Sequence, residues 1–492
     1  MTKSFRLLAA ALVACRFYNF RPYLDHPHLF RQADTAFYSL GFYRFGMNLF
    51  TPSVGWMGGY RRVILEFPLT EWLAAWVYFV AGPTILVDRL VNLAFFLGSA
   101  CFLFRVVSLL HDRVLAQIVA LLYMSAPLGI YYSRAVHIDF TAIFFSHALL
   151  FYSMRFVATN RWTDLASAIL TGTLAFVIKA PYAFYLIMPA FFFCQHRRAG
   201  LRTVLLVGVA FAVPAAAFAG WFAYSQWINQ QAPDLSFIPS YFRHVNRFYW
   251  YFGTPAQRWT LDPWQTVVGR VYREVAATVW WALVPLGLLA RDRLAIYYRF
   301  SLWWLAGTLI YLLLFLNLSE MHNYYQIPFI APFSLGLAAP IYHWWTATGR
   351  WARPGRITAT LALTGYAASS MFVATERFYR TDPDYLAIGE FVRARTSDDD
   401  LVIMANTDAT HADPSFLFYA RRYGWSVGHD ELSPRILHAL AAQGATVVVT
   451  STMWPPDEET ESYLRTTLLV DVMRVDHERV TVHRLAPPAT RP

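Results

Sequence analysis

Apolar residues are distributed along most of the chain in runs approaching the roughly 20 residues needed to cross a bilayer. The runs lie at about 7–20, 86–108, 114–131, 140–157, 163–179, 181–195, 202–225, 275–290, 300–317, 325–345 and 357–374. Two other stretches differ in character. The segment 68–82 is short and carries Glu71 among large aromatics; in 33–47, Phe37, Leu40, Tyr43 and Met47 recur at helical spacing. Both predict interfacial helices lying on a membrane. From Glu376 the pattern changes to short segments: a helix near 384–395, a strand at 400–405, a helix near 414–423, a strand at 446–450 and a terminal strand pair ending at 480–485. The expected fold is mainly α: a polytopic membrane helical bundle of about 11 spans, with interfacial helices in the first outer loop and a small C-terminal α/β soluble domain.

Composition sharpens the division. The 492 residues are 57% apolar and 15% charged, where soluble domains average about 45–50% and 25%. That is too little charge to coat several soluble domains. Residues 1–375 hold 29 basic and 13 acidic side chains, and 376–492 hold 12 and 18. A membrane body (1–375) and a water-soluble tail domain (376–492) follow. Cys15, Cys101 and Cys194 each sit in an apolar run, which excludes a disulfide framework. The net charge of +10 comes from arginines spaced between apolar runs. That placement points to membrane lipids and away from nucleic acid.

Orientation follows from the positive-inside rule. Lys3 and Arg6 precede the first run in a signal-peptide-like order, but the many later runs favour an uncleaved span. With a cytoplasmic N-terminus, eleven spans place Lys3/Arg6, Arg105/Arg113, Arg155/Arg161, Arg197/Arg198/Arg202, Arg291/Arg293/Arg299 and Arg350/Arg353/Arg356 at inner turns. Counting 68–82 as a span would move those arginines outside. Outer loops at about 21–85 and 226–274, and the tail, are then extracytoplasmic. The expected location is the cell membrane, in a bacterium the inner membrane.

Most acids of the body fall on the outer side. Asp34 opens the first interfacial helix and Glu66 precedes the second. Each is either a reactive carboxylate or an acid balancing a helix N-terminus. Arg134 and Asp139 flank a short outer loop. Carboxylates gathered on one surface suit general-base chemistry or a divalent metal ion. Lys179 is the one lysine in the apolar body, at the outer end of a span. It either snorkels to the interface or meets an anion such as a phosphate. The outer loop Glu320 to Tyr325 adds His322 and Tyr324, as polar ligands or interfacial aromatics. His26 and His28 beside Asp25 make a weak metal pattern, and Asp398-Asp399-Asp400 reads as a solvated turn.

The order of these features resembles the GT-C superfamily of membrane glycosyltransferases, in the branch of protein O-mannosyltransferases and lipid A aminoarabinose transferases. The resemblance covers about residues 1–350. Asp34 in Arg31-Gln32-Ala33-Asp34-Thr35 resembles the acidic motif after the first span. Glu66-Phe67-Pro68-Leu69 resembles a Pro-Pro-Leu motif with one proline missing. Arg134 to Asp139, Lys179, and His322 to Pro328 stand where that branch has its Arg-to-Asp stretch, lysine and aromatic-polar loop. Where the family pairs Asp with Glu, this chain has Asp34-Thr35. The resemblance implies inverting transfer of one sugar, hexosyl or pentosyl, from a polyprenyl-phosphate-linked sugar to a lipid, glycan or protein acceptor. Asp34 would be the base, with Asp139 and Glu66 orienting the acceptor or a metal ion. Lys179, His322, Tyr324 and Arg134 would meet the donor phosphate. No cofactor is otherwise implied. A transporter or flippase, or a ligase for a preassembled glycan, are the competing readings.

Overall fold

A computed structural model describes residues 3–238, 247–290, 292–406, 413–475 and 478–485; Arg291 of the inner-turn count lies outside them. The structure is mainly helical, with one small sheet in the tail. Among the described residues, five helices are long and apolar enough to cross a membrane: Ile85–Leu110, Asp139–Thr159, Trp162–Tyr182, Leu201–Asn229 and Gly349–Arg377. Only 22% of the most apolar window of Leu201–Asn229 is buried within the protein. Its remaining apolar surface needs lipid, because water would make that exposure costly.

The other apolar runs are helical but shorter or interrupted. The residue before a proline is pushed out of helical geometry. Accordingly, Ala126 (φ −59°, ψ 137°) breaks Arg113–Ser125 from Pro127–Tyr132. The 181–195 run begins as tight turns around Pro181 before Ile187–His196. Val279–Ala290 winds tightly with Pro285 inside it, after Ala277 and Thr278 take left-handed φ values. The helix Leu69–Ala81 has 13 residues, about 20 Å at 1.5 Å per residue, well short of a 30 Å hydrocarbon core. Glu71, Ala74, Ala75 and Tyr78 face protein, while Trp76, Phe79 and Val80 are exposed. That division suits a helix at an interface.

The chain forms two compact units. The first comprises Met1–Arg21, Arg89–Phe222 and Asn246–Tyr379. In it the fully buried Arg16 donates to Ser133 Oγ (2.8 Å), to the Met124 carbonyl (2.6 Å) and to the Leu12 carbonyl, with its guanidinium over the Phe96 ring. The second comprises Pro22–Asp88, Ala223–Val245 and Arg380–Pro492.

The second unit contains a five-stranded sheet: β1 (Leu401–Asn406), β2 (Tyr423–Gly428), β3 (Ala445–Ser451), β4 (Leu468–Val475) and β5 (Glu478–Arg484), in the order β2-β1-β3-β5-β4. β1 runs parallel to β2 and β3, and β5 lies antiparallel between β3 and β4. Its hydrophobic core includes Phe37, Tyr38, Val54 and Trp56 of the first outer loop together with Val402, Phe416, Trp425 and Val448 of the tail. The acidic run 398–400 is not a solvated turn throughout. Asp400 is buried and accepts from Thr446 (2.8 Å) and Arg484 (3.1 Å). Burial alone would raise its pKa, but hydrogen bonds from Ser397, Thr446 and Arg484 outweigh that and hold it at about 2.

Candidate functional site

Two clusters of polar side chains stand out, one in each unit. In the first unit, the helix Trp162–Lys179 ends at a lysine that leaves helical geometry (φ −159°, ψ 79°) just before Pro181. Lys179 Nζ lies 2.8 Å from Asp139 Oδ1, and both side chains are at most 4% exposed. The ammonium also stands 4.4–4.8 Å from the ring centres of Tyr182, Tyr324 and Tyr325. Three ring faces stabilise a desolvated cation. This lysine is buried in protein, engaged by a carboxylate and three aromatic rings.

Asp139 is fully engaged. Its Oδ1 accepts from Lys179 and from the Tyr182 hydroxyl, and Oδ2 pairs with His137 Nδ1. The His137 ring lies 4.6 Å from that of Tyr324, which in turn stacks on His322 at 5.1 Å. The Tyr182 hydroxyl lies 2.9 Å from the Tyr324 carbonyl. Nearby in sequence, Asn323 accepts from Tyr132 (2.5 Å) and donates to Glu274 (2.8 Å), which Arg377 also holds. Glu274 stands in a π-helical turn, Val271–Val275, a feature that recurs at functional sites. The structure therefore brings Asp139, Lys179, Tyr324 and His322 together. Arg134 is committed elsewhere: it is fully buried, donates to the carbonyls of Tyr18 (3.3 Å) and Asn19 (2.9 Å), and lies over the Tyr379 ring.

In the second unit, Asp34 lies one turn into the helix Leu29–Phe45 and is 9% exposed. Trp56 Nε1 donates to its Oδ1 at 2.8 Å. Burial pushes the Asp34 carboxyl up to about 7; the Arg31 charge and the indole bond oppose that rise, while Asp413 adds to it. Arg31 forms an ion pair with Glu66, linking the starts of the two interfacial helices. The segment before Glu66 is clamped from both sides. The Tyr38 hydroxyl donates to the Val63 carbonyl and accepts from Leu65 N–H, both at 2.8 Å. The Asn229 side-chain amide bonds both the N–H (2.7 Å) and the carbonyl (2.8 Å) of Ile64.

Among the described residues no group of three His, Cys, Asp or Glu side chains stands close enough to hold a metal ion. Asp34, Glu66 and Asp139 are each hydrogen-bonded or paired with protein donors, and His26 lies 3.0 Å from Asp382. Sequence reasoning missed Arg31, Trp56, His137, Tyr182 and Glu274. His137, two residues before Asp139, and Tyr182, three after Lys179, were within reach of it. Trp56, 22 residues from its partner, carried no local signal.

Residues 66–224 match the family profile described as dolichyl-phosphate-mannose-protein mannosyltransferase. The matched segment contains Glu66, Asp139 and Lys179 and begins after Asp34. The structure resembles ArnT from Cupriavidus metallidurans bound to undecaprenyl phosphate, with a TM-score of 0.66 at 14% identity over 97% of each chain. It also resembles the archaeal oligosaccharyltransferase AglB from Archaeoglobus fulgidus, in complex with an inhibitory peptide and a dolichol-phosphate, at a TM-score of 0.55 and 10% identity over 95% of this chain and 72% of that one. The mycobacterial arabinofuranosyltransferase AftD matches at a TM-score of 0.54 and 13% identity, over 98% of this chain and 42% of that one. A comparison of the sequence with curated proteins finds no match. The fold is that of ArnT and AglB, which, with the profile match, agrees with the resemblance read from the sequence.

Proposed function

We propose that this protein is a membrane glycosyltransferase that moves one sugar, a hexose or pentose, from a polyprenyl-phosphate carrier to an acceptor hydroxyl. The acceptor is a glycolipid, polysaccharide or protein on the extracytoplasmic face of the cell membrane. The observation that carries this reading is the fold shared with ArnT together with the buried Asp34 carboxyl held by the Trp56 indole; burial raises the proton affinity of that carboxyl, which suits a general base. As the acceptor oxygen forms its bond to the anomeric carbon, its proton passes to Asp34. The bond from that carbon to the carrier phosphate breaks, and the phosphate leaves with the electron pair. Attack opposite the leaving group inverts the anomeric centre.

Lys179 offsets the charge growing on the departing phosphate, the part of the reaction where a preorganised cation helps most. Asp139 holds that ammonium through Oδ1 and is a positioning residue. His322 and Tyr324 supply ring faces and polar atoms toward the sugar phosphate. Glu66 fixes Arg31, and no step runs through a metal ion. Eleven spans with a cytoplasmic N-terminus keep the arginine-rich turns inside and the tail outside. The test is incubation of the purified protein with several polyprenyl-phosphate sugars, reading sugar transfer and carrier release.

A further inference from the structure

We infer that the C-terminal sheet positions the Asp34 carboxylate, acting through Trp56, which is held against the outer edge of β2. This inference rests on the reading of Asp34 as the base.

β2 is an edge strand by its place in the sheet, and an open edge leaves main-chain groups to be covered. Here residues 55–58 cover it. Gly424 N–H donates to the Gly55 carbonyl (2.9 Å), and Gly58 N–H donates to the Gly424 carbonyl (2.8 Å). Both loop glycines are required. Gly58 takes a left-handed φ of +57°, and a Cβ there would run into the Trp425 indole of β2. A Cβ on Gly55 would run into the Phe37 ring, on the same helix as Asp34. Between these two fixed points stands Trp56, 3% exposed, with its indole N–H on Asp34 Oδ1.

The tail grips Asp34's own helix as well. Phe37 packs on Phe418 and Tyr423, each with ring centres 5.5 Å apart. Helix and indole are thus referenced to one sheet, which fixes the plane of the carboxylate. With Oδ1 bound by the Trp56 indole, this reading assigns Oδ2 to the acceptor hydroxyl. Among the described residues, the other titratable groups acting on Asp34 include Arg31 and Tyr38 on its own helix and Asp413, just before Ser415–Ala420.

The test reads Asp34 directly and needs no substrate. Infrared spectra of the full-length protein in lipid vesicles, taken as the difference between wild type and Asp34→Asn, isolate the Asp34 carboxyl band across pH. The indole bond favours the charged form, so Trp56→Phe should move the midpoint upward, by about one pH unit for one hydrogen bond to a charged group. Gly58→Ala keeps the indole but disturbs its seat on β2, and should shift the midpoint in the same direction. It also decides the matter if Trp56→Phe does not fold. An unchanged midpoint in the folded variants overturns the inference. If the midpoint moves but Asp34→Asn still transfers sugar, the base reading fails while the positioning stands.

Discussion

Lys179 and Asp139 form a buried ion pair whose acid is also held by His137 and Tyr182. Removing one partner of such a pair leaves an uncompensated charge and costs about 3–5 kcal/mol. Lys179→Met should therefore melt well below wild type. The double variant Lys179→Met/Asp139→Asn removes both charges and should recover most of that stability. If Lys179 meets the carrier phosphate, the double variant should still bind undecaprenyl phosphate more weakly by about 1.5–3 kcal/mol, the scale of a hydrogen bond to a charged group. Thermal melting and carrier binding, measured on the same preparations, separate the two effects.

The Asp34 carboxyl predicts two pH dependences of different kinds. As a base it must be ionised, so transfer should rise with pH through about 7. For stability, the unfolded acid ionises near 4 and the folded one near 7. Between those values the folded state binds more protons, so this group's contribution falls as pH rises and remains lost above about 7. Asp34→Asn should then melt above wild type at pH 8, with a smaller difference at pH 4. The difference measurement matters because burial also pushes Glu71 up, to about 8.

Asn229 should matter to stability. Its amide is the partner of both main-chain groups of the buried Ile64, and an orphaned buried polar group costs about 1–3 kcal/mol. Asn229→Ala should lower the melting temperature, whereas Asn229→Gln should also fail, because its longer side chain misplaces the amide. A wild-type melting curve for Asn229→Ala would contradict the clamp.

Orientation is open to labelling. Ser426 is buried in β2 and a poor probe, whereas Glu459 is exposed in the tail. Glu459→Cys should react with an impermeant thiol reagent in spheroplasts. Reaction only after lysis would invert the proposed topology.

The long apolar runs were legible in the sequence because a bilayer imposes length on a helix, and each run is largely helical in the structure, several with interruptions. The breaks at Ala126 and near Pro181 follow from proline chemistry that the apolar pattern alone passes over. β2 was not foreseen: Tyr423-Gly424-Trp425-Ser426-Val427-Gly428 is buried along its whole length, so it lacks the alternation of a half-buried strand, and the helix expected near 414–423 ends earlier, at Ala420. Gly424 is needed because a Cβ would strike the Val402 backbone of β1. Lys179 and Asp139 could be picked out singly as charges in an apolar body. Their mutual engagement, like that of Trp56 with Asp34, arises from residues 40 and 22 positions apart and has no signature along the chain.

The most direct test of the account is turnover by the full-length protein in vesicles. A panel of polyprenyl-phosphate hexoses and pentoses would be offered, and released carrier phosphate measured beside transferred sugar for wild type and Asp34→Asn. The account predicts that wild type releases carrier in step with transfer from at least one donor. It predicts that Asp34→Asn falls by about 10²-fold or more with carrier binding little changed. Turnover by Asp34→Asn at the wild-type rate would contradict it.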